Sequence, residues 1–423
     1  MLSAVRSEEE WKDFETAVHA YKYSSPTLSL FERLYLEAFW NKVVFLYPTW
    51  LAPNVITLSG YACVWIAYII TISGSPNLDG NLENWKYVVC GVLYFMYQTL
   101  DGSDGKQARR TGSGSALGEL MDHGADAVVT ALLCIVTSDV FAFGINSVWI
   151  WVFILVAQTN FFMSNMTLVH SGRQKFFDLD VMEVQTAMIL TLIAAGIFGP
   201  EALTSITVPV PDFARAIYID CAGMVPKSQA IDLSDGRLSM RNIVLLGGLF
   251  GCLFNYPQYV FASLRPYILL KQEDRPQHVK DGVTGSGIKA LMFHLLLIHS
   301  YVILAASCVY SALQISDSAR SASAMRALVF VASFGFADLM DRVLLMRVAR
   351  RPLPYLPPGF WPLILFFIGA RFFEPVELIE GPWWWALALL SFVFHHAYFL
   401  SAVKNLAKAL GIHPLKIRPK KKD

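Results

Sequence analysis

Ten apolar segments recur along this chain, and they restrict its fold before any single residue does. They lie near 55–75, 86–100, 125–142, 147–165, 184–199, 242–263, 288–314, 326–346, 361–373 and 382–401. A helix crossing a bilayer needs about 20 mostly apolar residues. Within lipid, only helices and closed barrels satisfy their own backbone hydrogen bonds. With 55% hydrophobic residues over 423 positions, a soluble fold is excluded and an all-α polytopic membrane protein with about ten transmembrane helices is expected. The segments near 86–100 and 361–373 are short, so their helices should extend into flanking polar sequence. The expected organisation is an N-terminal segment (1–54), a first set of helices carrying the chemistry (55–263), further transmembrane helices (264–401) and a basic tail (402–423).

Loop charge predicts orientation. With both termini cytosolic, the loops at 76–85, 143–146 and 374–381 are non-cytosolic, and they contain no Lys or Arg. Most of the 34 basic residues fall on the other side, as the positive-inside rule requires. No cleavable signal peptide is expected, because the first fifty residues are mostly polar or mixed. Residues 28–47 set apolar and aromatic side chains beside Glu32, Arg33, Glu37 and Lys42, which suits a helix lying in the membrane interface or packed on the protein. The cysteines at 63, 90, 134, 221, 252 and 308 are too scattered for a disulfide framework or a thiolate metal site. The Gly-rich stretch 282–287 lacks the lysine and preceding strand of a phosphate loop and reads as a turn.

Between the second and third segments stands DGSDGKQARRTGSGSALGELMDHGAD, residues 101–126. Asp101 and Asp104 are three apart and Asp122 and Asp126 four apart, so each pair projects from one face of a helix. One carboxylate at mid-bilayer costs about 2.5–3.5 kcal/mol on insertion scales. Four at membrane level therefore call for compensating cations, and an all-oxygen donor set favours Mg²⁺, Mn²⁺ or Ca²⁺. Asp338 and Arg342 have the spacing of an ion pair within a span.

The complete spacing, Asp101-x₂-Asp104-Gly105-x₂-Ala108-Arg109-x₈-Gly118-x₃-Asp122-x₃-Asp126, resembles the signature of the CDP-alcohol phosphotransferase family. Further likeness points to its eukaryotic choline/ethanolamine phosphotransferases: Lys22-Tyr23-Ser24, Phe39-Trp40-Asn41, Pro48-x-Trp50-x-Ala52-Pro53-Asn54-x-Ile56-Thr57, DGKQARRT, GELMDHG and the C-terminal FLSAVKNLAKALGI. The resemblance implies transfer of phosphocholine or phosphoethanolamine from its CDP derivative to diacylglycerol, releasing CMP. It implies Mg²⁺ or Mn²⁺, two ions held by Asp101, Asp104, Asp122 and Asp126. The partners expected are the CDP-alcohol, diacylglycerol and membrane lipids, with no nucleic acid and with a homodimer as in relatives. The nucleotide would lie beside Asn54, Gly105, Ala108, Arg109 and Gly118. Lys420 and Lys421 resemble an endoplasmic reticulum retrieval signal, which makes that membrane, or the Golgi, the expected location.

The base that deprotonates the attacking hydroxyl has three candidates. The family pattern implies Asp126. Glu119 and His123, four apart, form an alternative hydrogen-bonded pair, and this pair is preferred because a carboxylate on a metal is a weakened base. Glu183, with Asp178 and Asp180, is either a helix N-terminal acid or a headgroup-recognising carboxylate. Asn165-Met166 replaces the His-Trp usual ahead of Ser171-Gly172, which bears on headgroup or acceptor specificity. Two other readings are a CDP-alcohol phosphotransferase with a different headgroup or acceptor, and a cation transporter using the aspartates together with Asp338 and Asp341.

Overall fold

The computed structural model describes residues 8–21, 24–212, 215, 218–219, 231–271, 287–315, 318–349, 353–372 and 382–417. Every apolar segment forms a helix. After α1 (Glu8–His19) and the short α2 (Glu37–Val43) come α3 (Pro53–Gly74), α4 (Asn84–Thr111), α5 (Ala116–Val140), α6 (Val148–Ser171) and α7 (Val181–Phe198). They are followed by the single turn α8 (Pro200–Thr204), then α9 (Met240–Ile268), α10 (Ile288–Leu313), α11 (Ser318–Ala349), α12 (Phe360–Phe372) and α13 (Pro382–Leu410). Among the described residues, seven helices are long and apolar enough to cross a membrane: α3, α5, α6, α7, α9, α10 and α13.

The three exceptions have separate causes. Helix α4 continues through the aspartate cluster to Thr111, which is the expected extension into polar sequence. Helix α11 carries Asp338, Asp341, Arg342 and Arg347, yet every side chain from 331 to 341 is buried. A helix enclosed by protein need not be apolar for lipid. Helix α12 has 13 residues, and residues 373–381 lie outside the described residues.

One hydrophobic core runs from Cys63 to Ala388, so the helices on either side of residue 264 share it. Helix α3 packs on α4 and α5, α7 on α4, α9 on α6, and α11 on α5 and α13. A second cluster joins α1 to α5, α11 and α13 through Phe14, Val18, Leu117, Leu344 and Leu406. The Asp338–Arg342 pair forms as expected, with Arg342 Nε 2.8 Å and Nη2 2.9 Å from the carboxylate. The backbone N–H of Gly359 also donates to Asp338 at 2.9 Å, and the guanidinium lies 3.8 Å from the Tyr398 ring centroid.

The N-terminal segment is irregular where it meets the bundle. A π-helical turn (Glu32–Leu36) leads into α2, and a 3₁₀ turn (Val44–Leu46) leaves it. Leu34, Phe45, Leu46 and Trp50 are more than 60% exposed, while Leu36 and Trp40 are buried. The long insert at 200–241 contributes two small antiparallel pairs, Thr207–Pro209 with Arg237–Ser239 and Tyr218–Ile219 with Ile231–Asp232. The five described cysteines are all free. The turn residues 282–286, Cys221 and the tail lysines Lys420 and Lys421 lie outside the described residues.

Candidate active site

The signature residues fold as a helix, a sharp turn and a second helix. Helix α4 ends at Gly112, whose φ of +67° is a left-handed value that favours glycine and reverses the chain. Ser115 caps α5 by accepting the backbone N–H of Gly118 at 3.2 Å. The reversal sets α4 and α5 side by side with their aspartates facing one cavity of about 1030 Å³.

Asp101, Asp122 and Asp126 each offer a carboxylate oxygen, and these atoms lie within 4.8 Å of one another. Asp104 lines the same cavity but its carboxylate is engaged by the Thr57 hydroxyl. Asp126 Oδ1 accepts the Tyr97 hydroxyl at 2.7 Å. Asp122 Oδ1 is buried and has no hydrogen-bond partner. Half-buried carboxylates gathered this closely repel one another and lose part of their hydration, which favours a bound cation. Three convergent hard oxygens, one of them unpartnered, fit Mg²⁺ or Mn²⁺.

The other signature residues divide by what they touch. A Cβ on Gly105 would meet only Arg109 Nη1 at 3.6 Å, and one on Gly118 would meet Asn54 Oδ1 at 3.5 Å. Neither glycine is forced by protein packing, so the free space in front of them is cavity, and Ala108 lines it too. Arg109 is exposed along the same wall. Asn54 donates from Nδ2 to the carbonyl of Pro414 at 2.7 Å, tying the end of the chain to the rim. Gly102 differs: a Cβ there would stand 2.4 Å from the indole of Trp40. The Trp40 ring therefore docks α2 directly against the metal-site helix.

Lys106 and Arg110 also serve this docking. Lys106 pairs with Glu37 at 2.9 Å, and Arg110 Nη1 donates to the carbonyls of Val44 and Tyr47 at 2.9 and 2.7 Å.

The preferred Glu119–His123 pair does not form. Glu119 is held by Arg347 Nη1, at 2.9 Å from Oε1 and 2.7 Å from Oε2, and by the Tyr21 hydroxyl at 2.8 Å. Burial, with the neighbouring Glu119 charge, pushes the Tyr21 phenol up, so it stays a donor. A carboxylate committed to a guanidinium and a phenol is a poor base. Nothing local in the sequence announces this, because Arg347 lies 228 positions away. His123 keeps its place on the cavity wall with a buried Nδ1 that has no partner.

Asp178, Asp180 and Glu183 are structural at their contacts. Asp180 and Glu183 form a reciprocal capping box on α7, with Glu183 Oε1 also accepting the Phe31 N–H at 2.7 Å. Asp178 pairs with Arg33. Asn165 and Met166 are fully buried and stand outside the cavity wall. The Asn165 amide donates to the Phe161 carbonyl at 2.9 Å, while its Oδ1 is buried without a partner. For a transporter, the partner acids are misplaced. Asp338 is neutralised by Arg342, and Asp341 faces Gly124, where a Cβ would come within 2.6 Å of its Oδ1. Gly124 lies two residues from both Asp122 and Asp126, close to the far side of α5.

Residues 50–217 match the family model of CDP-alcohol phosphatidyltransferases. Rat "Cholinephosphotransferase 1" is 35% identical over 190 residues, covering 45% of this chain and 47% of that protein. Arabidopsis "Choline/ethanolaminephosphotransferase 1" is 40% identical over 136 residues, 32% of this chain and 35% of that protein. A Dictyostelium "Uncharacterized CDP-alcohol phosphatidyltransferase class-I family protein 3" is 37% identical over 155 residues, 37% of this chain and 39% of that protein. The matched stretch spans about half the length of the rat relative and less of the other two.

Proposed function

We propose that this chain, whose residues 50–217 match the family model of CDP-alcohol phosphatidyltransferases, transfers phosphocholine or phosphoethanolamine from its CDP derivative to diacylglycerol. The products are phosphatidylcholine or phosphatidylethanolamine, and CMP. The observation that carries this reading is the convergence of Asp101, Asp122 and Asp126 from two helices on one cavity, with an unpartnered His123 nitrogen on its wall.

In the reaction, the acceptor hydroxyl oxygen forms a bond to the phosphorus that bears the headgroup. The bond from that phosphorus to the bridging oxygen breaks, and CMP leaves with the electron pair. Divalent cations, once bound, neutralise the pyrophosphate and stabilise the leaving group. Asp101, Asp122 and Asp126 would hold them, with Asp104 completing the set for a second ion. Arg109 reaches the phosphates, and Gly105, Ala108 and Gly118 let the nucleotide approach the backbone beside Asn54. The hydroxyl proton passes to His123. Asp126 is tied to the metal group and to Tyr97, and Glu119 to Arg347. Imidazole is the side chain that most readily takes and returns a proton near neutral pH, and this one has a free nitrogen.

The acceptor is apolar and enters from the bilayer, whereas the nucleotide comes from the cytosol. The site, the N-terminal segment and the basic tail therefore face the cytosol, and the resemblance of the tail lysines to a retrieval signal supports the endoplasmic reticulum or Golgi membrane. The test is headgroup transfer to diacylglycerol by the purified chain. CDP-choline and CDP-ethanolamine compete at equal concentration, with Mg²⁺ or with chelator, alongside Asp122→Ala. Metal-dependent product absent from the variant supports the reading; no product from either donor refutes it.

A further inference from the structure

The wall built by the N-terminal segment carries a buried carboxylate that has no cationic partner among the described residues. Glu32 lines the cavity, is 5% exposed and accepts one hydrogen bond, from the backbone N–H of Ser29 at 2.7 Å. Among the described residues no Lys, Arg or His pairs with it. Its acidic neighbours are already engaged, Glu37 by Lys106 and Glu183 by the N–H groups of Phe31 and Asp180. Burial raises the Glu32 carboxyl above the usual range, and the charges of Glu183 and Glu37 add to this. A buried anion without a counter-ion is costly unless something positive joins it.

Trp40 lines the same cavity. It is 2% exposed, is pinned against Gly102, and its indole N–H has no acceptor. Gly102 adjoins Asp101, so the Trp40 ring stands beside the metal-site helix. Glu32 is tied to the same helix at one remove. Phe31 bonds Glu183 at the start of α7, and the first turn of α7 accepts from Gln98 Nε2 at the Met182 carbonyl and the Thr186 hydroxyl. Gln98 is one turn before Asp101.

We propose that Glu32, with Trp40 lining the same cavity, binds the cationic end of the donor substrate, a quaternary or primary ammonium. This rests on the function proposed above and assigns the group that reads the headgroup. A trimethylammonium has no N–H to donate, so it is recognised by charge and by aromatic faces. A carboxylate and an indole supply both. The wall of the cavity that carries Arg109 meets the phosphates, and the wall that carries Glu32 meets the positive end.

The experiment compares wild type with Glu32→Gln, reading KM for CDP-choline and CDP-ethanolamine and inhibition by CMP, which lacks the headgroup. The KM values should rise at least about 10-fold, the loss expected for a hydrogen-bonded or paired charge, with CMP inhibition unchanged. Glu32→Asp keeps the charge and should fall between the two, and it decides the matter by the same ratio if Glu32→Gln does not fold. An unchanged KM, or equal weakening of CMP and CDP-choline, overturns the assignment. Should the wild type transfer nothing, the proposed function fails first. Thermal protection by CDP-choline relative to CDP then tests Glu32 by itself, and a preference that Glu32→Gln abolishes upholds it, whereas equal protection overturns it.

Discussion

Replacing Arg347 tests whether Glu119 is a structural anion or a base. The pair joins the start of α5 to the end of α11 with two contacts of 2.9 and 2.7 Å, and the side chains are only 14% and 5% exposed. Removing the cation leaves a buried carboxylate with Tyr21 as its remaining side-chain donor. Breaking one partner of a buried pair costs about 3–5 kcal/mol. Arg347→Met should therefore lower the thermal unfolding midpoint of the detergent-solubilised protein by several degrees. Glu119→Gln neutralises the other partner, keeps the shape and should cost less. The double variant should be less destabilised than the sum of the singles, because each single strands one charge. Transfer activity should follow stability in all three, with the pH profile of kcat unchanged. A Glu119→Gln enzyme that keeps the wild-type midpoint but loses kcat by about a hundredfold or more, the scale of a lost general base, would refute the argument and restore Glu119 to that role.

Other consequences are simpler to check. Gly102→Ala forces a methyl group into the Trp40 ring and should destabilise by about 1–3 kcal/mol, read as a lowered midpoint together with protease access to residues 28–47. His123→Ala should lower kcat about 10²–10⁴-fold with KM for the CDP-alcohol nearly unchanged, whereas an equal effect on KM would indicate a binding role. Chelation should abolish transfer and also lower the unfolding midpoint, since the grouped carboxylates lose their counter-ions; Asp122→Asn should weaken that second effect.

The aspartate signature is fully legible in the amino-acid sequence, because spacing of three and four on a helix dictates a shared face. All ten helices are legible too, though not always by apolarity. Helix α11 is enclosed, and Arg342 matches the charge of Asp338 within the bundle. The Glu119–His123 pair fails for a general reason. A spacing of four says two side chains can meet, but a stronger partner from elsewhere takes precedence, and a guanidinium outcompetes an imidazole for a carboxylate.

The sequence by itself determined the membrane class, the two helices that carry the aspartate signature and the carboxylates expected to suit a hard cation. These depend on periodicity and composition, which are local. Tertiary structure decided which acids are available and which are occupied. It placed Arg347 and Tyr21 on Glu119, Tyr97 on Asp126 and Thr57 on Asp104, and it left Asp122, His123 and Glu32 facing the cavity. The division arises because charge pairing acts through space, and contacts as distant along the chain as residue 119 and residue 347 exist only once the helices have packed.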